Sequence, residues 1–73
     1  MAMLVESETV LELEHQILER IAGRVQRFRL IRLDGQLILE GTAKSFHAKQ
    51  LATHAALELA PDFEFVNAIE VRR

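Results

Sequence analysis

Apolar and polar positions alternate most clearly between Phe28 and Thr42, FRLIRLDGQLILEGT, where two apolar-rich runs flank Asp34-Gly35. An Asp-Gly pair in that setting predicts a β-hairpin closed by a two-residue type I′ turn. Both turn residues need positive φ, which Gly adopts freely and Asp tolerates better than most. A loop that short fixes the register: Leu33 faces Gln36, Arg32 faces Leu37, Ile31 faces Ile38, Leu30 faces Leu39, and Phe28 faces Gly41. Strand side chains alternate between faces, so Phe28, Leu30, Leu37 and Leu39 share one face, with Arg32 near the turn. Arg29, Ile31, Leu33, Gln36, Ile38 and Glu40 share the other. The first face reads as core, and the second is half apolar and half charged.

The flanking segments have helical periods. Val10, Leu13, Ile17 and Ile21 recur at spacings of three and four, with Leu18 widening the stripe, which predicts a helix over about 10–22. Thr9 followed three residues later by Glu12 has the form of a capping box, and Gly23 suits a left-handed terminator. Residues 1–8 are then a short lead, extended through Met3-Leu4-Val5. After the hairpin, Ser45 is a good N-cap. Ala48, Leu51, Ala52, Ala55, Ala56 and Leu59 trace one stripe of a second helix over 46–59, which Pro61 stops with Asp62 in the turn. Phe46 and Leu57 point away from that stripe. Phe65, Asn67, Ile69 and Val71 alternate with Val66, Ala68, Glu70 and Arg72, giving a third strand of about eight residues. The order αββαβ predicts an α+β fold, a three-stranded sheet with two helices packed on one face and the other face open.

At 73 residues the chain makes one domain with one core, spanning 9–73 after the lead. A domain of this size holds only about 3–5 kcal/mol of stability unless something staples it. There is no cysteine, so neither a disulfide nor a thiolate metal site can help, and oligomerisation or docking to a larger partner becomes the remaining route. The net charge of −2 gives no global bias toward nucleic acid or an acidic membrane. Locally the charges segregate: residues 6–19 hold five glutamates and no Lys or Arg, whereas Arg20, Arg24, Arg27, Arg29 and Arg32 follow without an acid. Complementing the dipole of the first helix accounts for this, and an anion-binding patch at the start of the hairpin is the sharper alternative. No apolar run approaches the ~20 residues of a membrane span. MAMLVESETV lacks the basic start and long apolar segment of a secretory signal. The chain as written is therefore expected to be cytoplasmic, and periplasmic or membrane-associated if it is cut from a longer protein.

From Leu11 to Val71 the chain resembles a BON domain, the small module named after bacterial osmotically induced and nodulation proteins. The run Asp34-Gly35-Gln36-Leu37-Ile38-Leu39-Glu40-Gly41 is similar to the family's glycine–x–Val–x–Leu–x–glycine segment. The Ala-rich helix follows at the expected distance. Phe65-x-Asn67-x-Ile69-x-Val71 is similar to the family's Val–x–Asn–x–hydrophobic–x–Val ending. The resemblance implies a non-enzymatic module tied to envelopes and proposed to bind phospholipid or mediate protein contacts. It also implies a functional role at the position of Gly41. From the residues themselves, Gly41 marks close approach of the second helix or the end of strand pairing. Asn67, set among core-facing residues, needs hydrogen bonds to loop or neighbouring backbone.

Catalytic chemistry finds little support. Ser7, Thr9 and Ser45 have capping or terminal explanations, and the pair Ser45 and His47 comes with no orienting acid or oxyanion donors. A metal site would need His15, His47 and His54 together, yet His47 and His54 lie roughly 10 Å apart along a helix axis. No enzyme activity, metal or cofactor is expected. RNA binding in the manner of the KH fold is weak too, because no Gly-x-x-Gly loop exists and Phe is the only aromatic type, so no nucleic-acid partner is expected.

Two functional expectations remain. The first is an interaction module, a homo-oligomer (by default a dimer) or one docked to a larger protein. It would use the open sheet face of Arg29, Ile31, Leu33, Ile38, Val66 and Ala68, rimmed by Glu40, Glu64 and Glu70. The second is a peripheral binder of anionic phospholipid headgroups at the start of the second helix. There Lys44, Ser45, Phe46, His47 and Lys49 would combine free amides, positive charge and an outward ring. Asp34, Gly35, Gly41 and Asn67 are expected to serve turns and packing.

Overall fold

The computed structural model describes residues 2–72, with side chains over 9–72. In chain order the elements are α1 (Ala2–Ile21), β1 (Val25–Leu33), β2 (Gln36–Ala43), α2 (Phe46–Leu59), β3 (Glu64–Asn67) and β4 (Glu70–Val71). The fold is α+β, with the expected order and both helices on one face of the sheet. β1 pairs antiparallel with β2, and β3 and β4 pair parallel with β2.

The sheet has four strands where three were expected, because the last strand is interrupted at Ala68 and Ile69. The interruption does not change the register. Leu39 lies opposite Asn67 and Thr42 opposite Glu70, the Ala68 N–H donates to the Leu39 carbonyl at 2.8 Å, and the Arg72 N–H donates to the Ala43 carbonyl at 2.7 Å. At the break the Ile69 N–H turns to the Asn67 Oδ1 at 3.0 Å instead.

Two expectations about α1 are corrected. The helix starts at Ala2, not near Val10, so 3–5 are helical rather than extended and Thr9 is an interior residue rather than a cap. No Gly or Pro interrupts the chain before Gly23, and residues 2–8 contain good helix formers, so nothing stops the helix from growing back past the Thr9–Glu12 signal. At the other end the left-handed turn begins one residue early, at Ala22 (φ 49°), and continues through Gly23 (φ 81°). The second helix runs as predicted: the Ser45 Oγ accepts the Ala48 N–H at 3.1 Å, and the Ala60 N–H closes the C-terminus on the Ala56 carbonyl.

One core sits between helices and sheet. Leu13, Ile17 and Ile21 of α1 and Ala48, Ala52, Ala55 and Ala56 of α2 cover Phe28, Leu30, Leu37, Leu39 and Ile69. The alanines have little side chain to hold α2 away, so the helix lies close to β2 and β3.

The hairpin register matches expectation from the Asp34-Gly35 turn back to Arg29 opposite Glu40, and both turn residues have positive φ, 51° and 81°. Beyond Arg29 it departs. A β-bulge lies between Gln26 and Arg29, and Arg27 takes a left-handed conformation (φ 56°). Arg27 and Phe28 therefore share the stretch opposite Gly41, where Phe28 alone was expected. The extra residue resets the alternation, so Val25 and Phe28, three apart, both point into the core.

Candidate functional site

The register lays the open face out in rows. Ile31, Ile38 and Val66 stand side by side across β1, β2 and β3; the row nearer the turn is Leu33, Gln36 and Glu64. Arg29 stands opposite Glu40 in the next row, level with Ala68 on the far strand, and Thr42 stands beside Glu70 beyond it. The helices pack on the opposite face. Leu33 is 55% exposed and Val66 38%, while Ile31 and Ile38 are half-buried by their neighbours in the sheet. All six residues expected on a self-association face thus come together on one surface. Neither Arg29 nor Glu40 takes part in an ion pair among the described residues, although they are cross-strand partners.

Both edges of the sheet are partly closed. Leu30 and Leu39 form a non-hydrogen-bonded antiparallel pair, which turns the Leu30 N–H out of the sheet. There the half-buried Glu14 carboxylate of α1 accepts it at 3.0 Å. On the other edge Asn67 acts as a staple. Its Nδ2 donates to the Lys49 carbonyl at 2.8 Å and the Thr53 hydroxyl at 2.6 Å, while its Oδ1 holds the Ile69 N–H. This meets the expectation that its amide finds backbone partners, and it ties the sheet edge to α2. Glu14 was missed in the sequence because it sits among other helix glutamates with nothing local to single it out.

The expected anion site is only partly assembled. Lys44, Ser45 and His47 line a cleft of about 400 Å³ with Gly23, Arg24, Gln26, Thr42 and Ala48. Lys49 lies in a separate groove beside Ala68–Arg72, and the Ala48 amide is already taken by Ser45, leaving those of Phe46 and His47. Arg24, arriving from the α1–β1 turn, supplies the second cation that Lys49 was expected to provide. Phe46 does point outward, 59% exposed. The arginine run forms no single patch: Arg20 bridges to Glu58 of α2 at 2.7 Å on the helix side, whereas Arg29 belongs to the open face.

Gly41 is close to β1 rather than to α2, which corrects the alternative of helix approach. A Cβ on it would stand 2.7 Å from the Val25 Cγ1, 2.9 Å from the Gln26 carbonyl oxygen and 3.3 Å from the Phe28 Cα. His47 and His54 line a shallow groove with Arg20 and Glu58. Among the described residues no three His, Cys, Asp or Glu side chains converge as metal ligands, and no helix is long and apolar enough to cross a membrane. The Ser7 side chain lies outside the described residues. No family model, curated protein or solved structure matches the chain.

Proposed function

We propose that the chain is a non-enzymatic interaction module of the BON type it resembles, associating through its open sheet face with itself or with a larger protein. The observation that carries this is the apolar row of Ile31, Ile38 and Val66, extended by Leu33, on a face that the helices leave uncovered. Contiguous exposed apolar surface of this kind usually marks a contact site. The family reading is supported by the αββαβ order and by two motif residues with defined work, Gly41 under the bulge and Asn67 between sheet and helix. Ile38→Glu places a charge at the centre of the face without touching the core. Sedimentation at high micromolar concentration should show self-association of the wild-type chain and none of Ile38→Glu, with unchanged circular dichroism. A wild-type chain that is strictly monomeric and also retains no larger protein would sink the proposal.

A second reading, peripheral contact with anionic phospholipid, is favoured by exposed Phe46 beside the basic cleft of Arg24, Lys44 and His47. Flotation with anionic vesicles should then fall with added salt and with Arg24→Glu/Lys44→Glu, and Phe46→Ala should weaken it at every salt concentration. No flotation at low salt removes this reading.

A further inference from the structure

The open face carries opposite charges where a two-fold axis brings them together. Arg29 on β1 and Glu40 on β2 flank the apolar row, each without an ion-pair partner among the described residues. One outward amide on each edge is already taken, the Leu30 N–H by Glu14 and the Ile69 N–H by Asn67, which blunts the edges as templates for strand addition.

Resting on the self-association reading above, we propose that the partner is a second copy of this chain, packed face to face about a two-fold axis that runs along β2 at Ile38. Sheets packed this way keep their strands roughly aligned, offset by the ~30° that twist imposes, and lie about 10 Å apart. Ile38 then meets Ile38 of the second copy and Ile31 meets its Val66. Arg29 of each copy comes beside Glu40 of the other, so two reciprocal pairs form. The two Glu40 carboxylates near the axis are bracketed by both arginines, which offsets their repulsion. The competing two-fold, in the sheet plane but across the strands, sets Arg29 over Leu33 and Glu40 over Gln36. Both arrangements seat Arg29 over an apolar side chain, Leu33 here and Ala68 with the axis along β2, where Glu64 also comes over Leu33 at the rim. Only the axis along β2 brings a carboxylate of the other copy beside each guanidinium, so the competing one is the costlier. Three strands ~4.8 Å apart over four rows cover on the order of 500 Å² per copy. The ~1,000 Å² total lies at the low end for specific contacts, so the dimer is weak and reversible.

The test uses cross-linking and charge exchange. The chain has no cysteine of its own, so single cysteines report cleanly. With the axis along β2, Glu40→Cys lies over itself and a short bis-maleimide should join two identical chains. With the axis across the strands, only a mixture of Glu40→Cys and Gln36→Cys would be joined. Separately, Arg29→Glu and Glu40→Arg should each weaken self-association about tenfold or more. An equimolar mixture of the two should recover it as a heterodimer, because the new acid of one chain faces the new base of the other. Neither chain regains its own cross-strand partner in the mixture, so recovery does not come from restored folding. Adding Glu12→Arg to the Arg29→Glu chain itself, which restores the net charge at an exposed position on α1, should recover nothing; recovery there would reduce the effect to net charge and overturn the axis. Cross-linking only in the Glu40→Cys/Gln36→Cys mixture, or no recovery with Glu40→Arg, overturns the axis while loss of the dimer in Ile38→Glu keeps the face. A dimer that survives Ile38→Glu overturns both.

Discussion

At the scale of single residues, Gly41 is the position where one added carbon has the largest consequence. Its φ of 151° disfavours any L side chain, and a Cβ would press on Val25 and on the β1 backbone, which cannot swing aside as a flexible side-chain end would. Gly41→Ala therefore combines backbone strain with overpacking, together about 3 kcal/mol. Gly35 has φ of 81° but nothing within 4 Å of its would-be Cβ, so Gly35→Ala carries only the left-handed penalty of about 1 kcal/mol. In a domain this size each kcal/mol moves the melting temperature by roughly 4–8 °C. Thermal denaturation should separate the two substitutions clearly, and equal shifts would mean that the close approach under the bulge is absent. The bulge itself had a trace in the sequence. Val25 and Phe28 are three apart while Phe28 and Leu30 are two apart, a break in strand alternation that one inserted residue explains. The Asp-Gly turn signal reaches only the pairs nearest the loop, and so it carried the register correctly to Arg29 and no further.

At the scale of elements, legibility followed the locality of the signal. The second helix was readable to both ends because its N-cap serine, alanine stripe and proline stop are all local. The start of α1 was not, since a capping box marks where a helix can begin without preventing it from beginning earlier. The interruption of the last strand depends on Asn67 reaching α2, a tertiary contact that alternation alone does not encode. The same is true of Glu14, which joins helix to sheet edge through one hydrogen bond to the Leu30 N–H. A half-buried, charge-assisted bond of this kind contributes about 1–2 kcal/mol, and its loss frees an edge donor. Glu14→Ala should accordingly speed hydrogen exchange at the Leu30 amide about tenfold, while Glu14→Gln, which keeps an acceptor, should retain most of the protection. Unchanged Leu30 protection in Glu14→Ala would show that the edge is held by something else. Of the candidate surfaces, the open face was legible because it follows from strand parity. The basic cleft was legible only in part, because Arg24 joins it through the turn after α1 rather than through proximity in sequence.

At the scale of the whole molecule, one core of modest size has no disulfide to support it, since the sequence holds no cysteine, and among the described residues no three metal-ligating side chains converge. Under the proposed self-association, the apolar row of the open face is tied to stability. Anything that binds the folded state and not the unfolded one raises stability by mass action. For a self-associating face with a dissociation constant near ~50 µM, raising the protein from about 5 to about 500 µM adds about 1 kcal/mol per protomer. That corresponds to a rise in melting temperature of roughly 4–8 °C for a domain this small. Ile38→Glu should melt at one temperature across the same range, because its stability no longer depends on a second copy. The half-buried environment of Ile38 makes a modest drop in its dilute-limit melting temperature acceptable; the discriminating quantity is the slope against concentration. A wild-type chain with no slope would separate the apolar row from self-association and leave docking to a larger protein as its use. A slope shared by Ile38→Glu would place the self-contact on another surface, with the groove between Arg20 and His54 as the next place to look.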